Sequence, residues 1–188
     1  HLKKYDDYKP VDEEASGAAG KKEALVDELY FYIVTDPSTR MAGIETGEYD
    51  IADSIPYNSY ERIHTNPDLN AHVTLTGTVD LVYNKKSGFM ADEKMRQAVN
   101  AALNMDDIML ATFSDDALSE THPGYMDPNQ DSWSTLAGEE AFNQDDADKT
   151  QQLLKEAGYN GEEIKLMVTR DYDYHYNSAV VVKEQLEQ

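Results

Sequence analysis

Asp92-Glu93-Lys94-Met95-Arg96-Gln97-Ala98-Val99-Asn100-Ala101-Ala102-Leu103 is the stretch that decides the fold. Asp92 stands at a helix start, where a short carboxylate accepts from the free N–H groups of the first turn. Met95, Ala98, Val99, Ala102 and Leu103 follow at helical period and form one apolar stripe. Arg96, four residues after Asp92, is placed to pair with it; an exposed pair of that kind contributes about 0.3–0.5 kcal/mol. Just upstream, Leu81-Val82-Tyr83-Asn84 reads as a strand.

A second signature lies earlier in the chain, in Asp36-Pro37-Ser38-Thr39-Arg40 and Gly47-Glu48-Tyr49-Asp50-Ile51. Asp36 caps a short helix, Pro37 suits its first position, and Gly47 is its left-handed stop. Tyr30-Phe31-Tyr32-Ile33-Val34 before it is aromatic and β-branched and predicts a buried strand. Ile51-Ala52 predicts a second, returning strand. Strand, capped helix and strand make a small α/β unit.

The remaining pattern is coarser. The first 24 residues read as an extended segment with a loop at Ser16-Gly17-Ala18-Ala19-Gly20. Residues 56–65 predict a short helix with Tyr60 and Ile63 inward. The alternation Leu69, Ala71, Val73, Leu75 predicts a strand over 69–76, and Gly77 turns it into the next. Asp106-Asp107 are read as the cap of a helix over 108–113. Residues 114–144 form a long irregular stretch holding the sole tryptophan, Trp133, and loops of that length carry function or stay disordered. Asp145 or Asp146 caps a helix ending at Ala157-Gly158-Tyr159. A strand over 164–169 and a helix from Ser178, with Ala179, Val182 and Leu186 on one side, complete the reading.

Composition excludes several functions. The 188 residues are 40% hydrophobic, enough for one ordinary core or two small ones. No run of eighteen apolar residues is present, so no membrane-spanning helix is read. The polar first residues show no signal-peptide pattern. With no cysteine, disulfide and thiolate chemistry are absent. A net charge of −21, from 37 acids against 16 bases, repels phosphate backbones, and no nucleic-acid partner is expected. The acids are spread along the chain, which favours a solvated surface over adaptation to salt or an acidic docking face.

Taken in order, these blocks resemble the large peptide-type solute-binding proteins of bacterial ABC importers (the peptide/nickel type, family 5). The resemblance runs through residues 30–55, 66–84, 89–108 and the Lys149…Leu153-Leu154…Ala157-Gly158-Tyr159 block. Ser87-Gly88 and Asn104-Met105 depart from the family pattern, which has prolines at the first place and Asp plus a base at the second. The resemblance implies an α/β fragment of the type II periplasmic-binding-protein fold, holding parts of two lobes joined by a hinge strand. Residues 1–83 would belong to the first lobe and 84–188 to the N-terminal part of the second, with residues 79–84 as the crossing. It further implies a central fragment, monomeric or artificially paired. It implies a non-enzymatic receptor that captures oligo- or dipeptides between lobes and delivers them to permease subunits. Such a receptor works at the extracellular face of the membrane, lipid-anchored, or in the periplasm. Related receptors take nickel chelates, sugars, opines or haem, and an unrelated acidic α/β enzyme is the reading from another class.

Loops at the carboxyl ends of strands and at helix starts are where α/β folds place ligands. That rule selects Tyr83 and Asn84 at the crossing, Trp133 in the long loop, and Arg170, Tyr172 and Tyr174 after the last strand. Arg170 is placed to meet a carboxylate, and the tyrosines, with Tyr176, to line a pocket. Partly buried packing with wet hydroxyls is the ordinary alternative for them, whereas a lone Trp in a long loop must rest on something. Arg40 with Glu48 or Asp50 reads as structural. His64, His72, His122 and His175 lack metal-ligand spacing, and consecutive acids such as Asp115-Asp116 lack that of a calcium loop, so neither metal nor cofactor is expected. No Gly-x-Ser-x-Gly or phosphate-binding loop occurs.

Overall fold

The computed structural model describes residues 1–75, 77–130 and 132–188, and the chain divides into two compact units, His1–Ile55 and Pro56–Gln188. In the first unit, β1 (Leu2–Lys3) pairs antiparallel with β2 (Glu28–Leu29), Leu2 facing Leu29 and Lys3 facing Glu28. The predicted buried strand over 30–34 is not formed. Phe31 and Ile33 are 66% and 95% exposed, and no ladder is assigned there. Aromatic and β-branched residues only favour a pleated surface; a strand also needs a partner for its N–H and C=O groups. Residues 51–52 form no strand either, and Ile51 is exposed.

The capped helix is present as predicted. α1 (Pro37–Glu45) has Pro37 in its first turn, and Asp36 Oδ1 accepts from Thr39 N and Thr39 Oγ1, both at 2.7 Å. Gly47 follows the helix in the left-handed region, at φ 73°. Arg40 is structural, but through carbonyls instead of acids: Nη1 donates to Val34 O (2.7 Å) and Thr35 O (3.2 Å), and Nη2 to Ser54 O (2.7 Å). The arginine thus ties both flanks of α1 to its first turn.

The second unit is helical. A 3-10 turn at Tyr57–Ser59 runs into α2 (Tyr60–His64), with Tyr60 and Ile63 half-buried. Of the strand predicted over 69–76, Thr76 lies outside the described residues and 69–75 carry no ladder. Residues 78–83 keep a two-residue period without a ladder. Val79, Leu81 and Tyr83 are half-buried between exposed Thr78, Asp80 and Val82, and Leu81 and Tyr83 lie on the helical core.

α3 (Glu93–Ala102) starts at Asp92, whose Oδ1 accepts from Lys94 N (2.7 Å) and Met95 N (3.2 Å). That carboxylate is used by the helix, and the predicted pairing with Arg96 gives way to another. Arg96 Nη1 turns back to Met90 O (2.8 Å) and Ala91 O (3.0 Å), both in the preceding 3-10 turn Phe89–Ala91. α3 is buried on two faces. Val99 and Leu103 join Ile108 and Val182 in one cluster; Ala98 and Ala101 meet Leu153 in another. The predicted stripe therefore shifts from Ala102 to Ala101, because α5 covers that second side.

α4 (Met105–Phe113) is capped by Asn104, whose Oδ1 accepts from Asp107 N at 2.9 Å. Asp106 and Asp107 sit inside the first turn, not before it, where the helix dipole favours them. α5 (Ala147–Ala157) starts at Asp146, which accepts from Lys149 N (2.9 Å), and stops at left-handed Gly158 (φ 71°). α6 (Asp173–Leu186) begins five residues before the predicted start at Ser178. It buries Ser178 and Val182 but leaves Leu186 42% exposed. The predicted strand over 164–169 is likewise unpaired, with Met167 95% exposed. α5 packs on α3 and α6 on α4. Of the α/β expectation, the helices are realised, while the described residues hold one ladder of two residues per strand.

The core makes a measurable contrast. Leu103 is 1% exposed and Leu186 42%. Leu103→Ala is expected to lower unfolding free energy by about 2–5 kcal/mol, and Leu186→Ala by well under half of that, in urea titrations.

Candidate ligand-binding site

Rings gather where α4 ends and α6 begins. Phe113, the last residue of α4, is 8% exposed, and left-handed Ser114 (φ 67°) turns the chain away behind it. Tyr57 meets Phe113 edge-on, with centroids 4.9 Å apart. Tyr174, in the first turn of α6, lies 6.2 Å from Tyr57 and 6.3 Å from Phe113, nearly parallel to the latter. Tyr174 also belongs to a second group, with Tyr172 at 5.7 Å and His175 at 4.3 Å; Tyr172 and His175 are 5.8 Å apart. Separations of this order, edge-on or tilted, are those that ring quadrupoles favour. Burial, then the neighbouring Tyr174, pushes the Tyr57 phenol above its ordinary pKa.

The sequence candidates divide. Tyr172 and Tyr174 are brought together. The Arg170 guanidinium carbon lies 5.0 Å from the centroid of the Tyr176 ring, a cation–π contact one step along the same chain segment. Asn84 is exposed, its Oδ1 accepting from Lys86 N at 3.2 Å. Trp133 is 72% exposed, so the expectation that it rests on a neighbour is not met. Tyr83 points into the helices: its hydroxyl donates to Asn100 Oδ1 at 2.6 Å. Burial raises its pKa to about 12, with Arg96 opposing weakly.

Sequence reasoning missed Tyr57 and Phe113. Both stood in predicted helices, but nothing in their own spacing says that α4's end meets α6's start. The early start of α6, which lifts Tyr174 out of the predicted loop, carried that signal only in three dimensions. Among the described residues no group of three or more His, Cys, Asp or Glu is arranged to hold a metal ion, and no helix is long and apolar enough to cross a membrane. The groups at the cluster are π faces and phenol hydroxyls, and the Arg170 guanidinium lies over the Tyr176 ring nearby in the chain.

The class of protein is given by the sequence comparisons. Residues 1–188 match the family described as "Bacterial extracellular solute-binding proteins, family 5 Middle", and the chain belongs to that family. Membership implies the type II periplasmic-binding-protein fold class. The chain is 28% identical to a probable peptide ABC transporter periplasmic-binding protein of Sinorhizobium fredii, over 95% of this chain and 34% of that protein. It thus spans about a third of the length of the curated relative it matches.

Tyr83 gives a pH test with a fixed sign. Its phenol ionises near 10 when unfolded and near 12 when folded, so the fold favours the neutral form. Its contribution is complete below pH 10 and declines as pH rises through 12. Tyr83→Phe is expected to flatten that alkaline decline in unfolding free energy while costing about 0.5–1.5 kcal/mol at neutral pH, from the lost bond to Asn100.

Proposed function

We propose that this chain is the middle section of the solute-capturing component of an ABC importer. Its cargo is an oligo- or dipeptide, and it acts as a receptor, not as an enzyme. The observation that carries this is the family match over all 188 residues. The peptide cargo is supported by the S. fredii relative, whose printed name is that of a probable peptide importer's binding protein. Residues 1–83 are assigned to a first lobe and 84–188 to a second, with 79–84 as the crossing. The half-buried alternation of Val79, Leu81 and Tyr83 supports a strand of that kind.

In this reading the whole protein holds an extended peptide largely by main-chain hydrogen bonds in an interlobe cleft. Arg170, Tyr172 and Tyr174 line it, Asn84 and Trp133 add exposed contacts, and Tyr83 fixes the crossing strand. The loaded receptor then delivers cargo to permease subunits from the extracellular face of the membrane or the periplasm.

Thermal unfolding of the whole protein in the presence of di- and oligopeptides, sugars and nickel chelates tests this. A cognate peptide at a hundredfold excess over Kd should stabilise by about 2.7 kcal/mol. Stabilisation by a sugar or nickel chelate alone overturns the peptide assignment, and silence from every ligand overturns the receptor assignment.

A further inference from the structure

One exposed ring at the start of α6, packed on two half-buried ones, is flanked in sequence by two exposed acids. Tyr172 is 56% exposed, and its ring, with those of Tyr174 and His175, forms a mutually contacting group. Asp171 and Asp173 flank Tyr172 in sequence and are exposed. Asp171 Oδ2 accepts from Thr169 Oγ1 at 3.0 Å, and neither carboxylate has an ion-pair partner among the described residues. The nearest basic residue in sequence, Arg170, has its guanidinium over the Tyr176 ring. The surface as a whole carries −21.

Ring faces are the negative pole of the aromatic quadrupole, and a cation within about 6 Å of a centroid is attracted to them. Carboxylates beside such faces add to the attraction, whereas an anion or an apolar group gains nothing from them. We infer that the Tyr172–Tyr174 surface, with Asp173, is a subsite for a cationic side chain of the cargo, a guanidinium or an ammonium on a peptide's arginine or lysine. This rests on the peptide-receptor reading above and narrows it to peptides that carry a basic side chain. The bound cation would repeat, between receptor and cargo, the contact that Arg170 makes with Tyr176.

Matched tripeptides provide the test. Ala-Arg-Ala and Ala-citrulline-Ala share both termini and nearly all of their shape, so a difference between them reports on the side-chain charge alone. Calorimetric titration of the whole protein should give about threefold or more tighter binding of the arginine peptide. Tyr172→Leu and Asp173→Asn should each reduce that preference, read as the ratio of the two affinities in the same variant. Tyr172 is exposed and its side chain makes no capping bond, so the leucine variant keeps the helix start. Equal affinities for the two peptides sink the subsite and leave the peptide reading intact, and so does a preference that survives both variants. If neither peptide binds, the peptide reading is decided by the wider ligand series given above. Titration of the same protein with guanidinium ion, followed by the ring resonances of Tyr172 and Tyr174, then decides the subsite: displaced resonances that return to rest in Asp173→Asn uphold it, and unmoved ones overturn it.

Discussion

Asn104 occupies the corner between α3 and α4, where a half-buried peptide group has to find partners outside the helices. Its N–H donates to Gln185 Oε1 (3.0 Å), and its C=O accepts from Gln185 Nε2 (3.2 Å), across 81 residues of chain. Its side chain caps α4 and donates to Asp145 Oδ2 at 3.1 Å. Next to it, Met105 N donates to Asn143 Oδ1 (2.6 Å) and Asp146 N to Ala101 O (2.8 Å). One corner thereby holds the end of α3, the start of α4, the approach to α5 and the last turns of α6. These groups are half-buried or exposed, so each bond contributes less than the about 1–3 kcal/mol that a fully buried unmatched group costs, and together they favour one arrangement of helices over near alternatives. With the corner fixed, Leu103 fills the core, α6 lies along α4, and the end of one helix reaches the rings at the start of the other.

Arg40 and Arg96 solve a related problem in the two units by the same means. Each stands four residues after a capping aspartate, and each donates Nη1 to the carbonyls six and five residues back. The aspartate satisfies the N–H groups of the first turn; the arginine satisfies the C=O groups of the incoming chain. In both places one nitrogen, Nη1, meets both carbonyls, and at Arg40 the other arm of the guanidinium reaches a third, Ser54 O. The i, i+4 spacing of Asp92 and Arg96 suits an ion pair equally well, and only the course of the chain before the helix decides against it.

Helix starts and stops were legible because their signals are local. Asp36, Asp92 and Asp146 cap the helices that follow them, and Gly47 and Gly158 terminate two of them in the left-handed region. Strands were not legible in the same sense. Residues 30–34 and 164–169 have strand composition, but a ladder is a property of two segments, and the described residues pair only β1 with β2. The apolar face of α3 was half legible: period gave Met95, Ala98 and Val99, while Ala101 is buried by a helix some fifty residues away. The site was legible as a segment, since Tyr172 and Tyr174 fell within it, and illegible as a cluster, since Phe113 and Tyr57 reach it through the packing of α4 on α6.

The start of α6, like that of the short α2, lacks the side-chain cap that the other helices have. α1, α3, α4 and α5 begin at Asp or Asn side chains that bond to their first turns, and replacing such a cap typically costs about 1 kcal/mol. α6 is the longest helix described and begins at Tyr172, which makes no capping bond and leaves its ring 56% exposed. Stability alone would favour a short polar residue at that position. Departures from local rules concentrate where a chain trades stability for recognition. Tyr172 departs from the local rule in this way: it is an exposed ring in a capping position, next to an acid in the first helical turn and packed against two further rings. The helix holds the rings in register, and the missing cap frees the position for a side chain that faces outward.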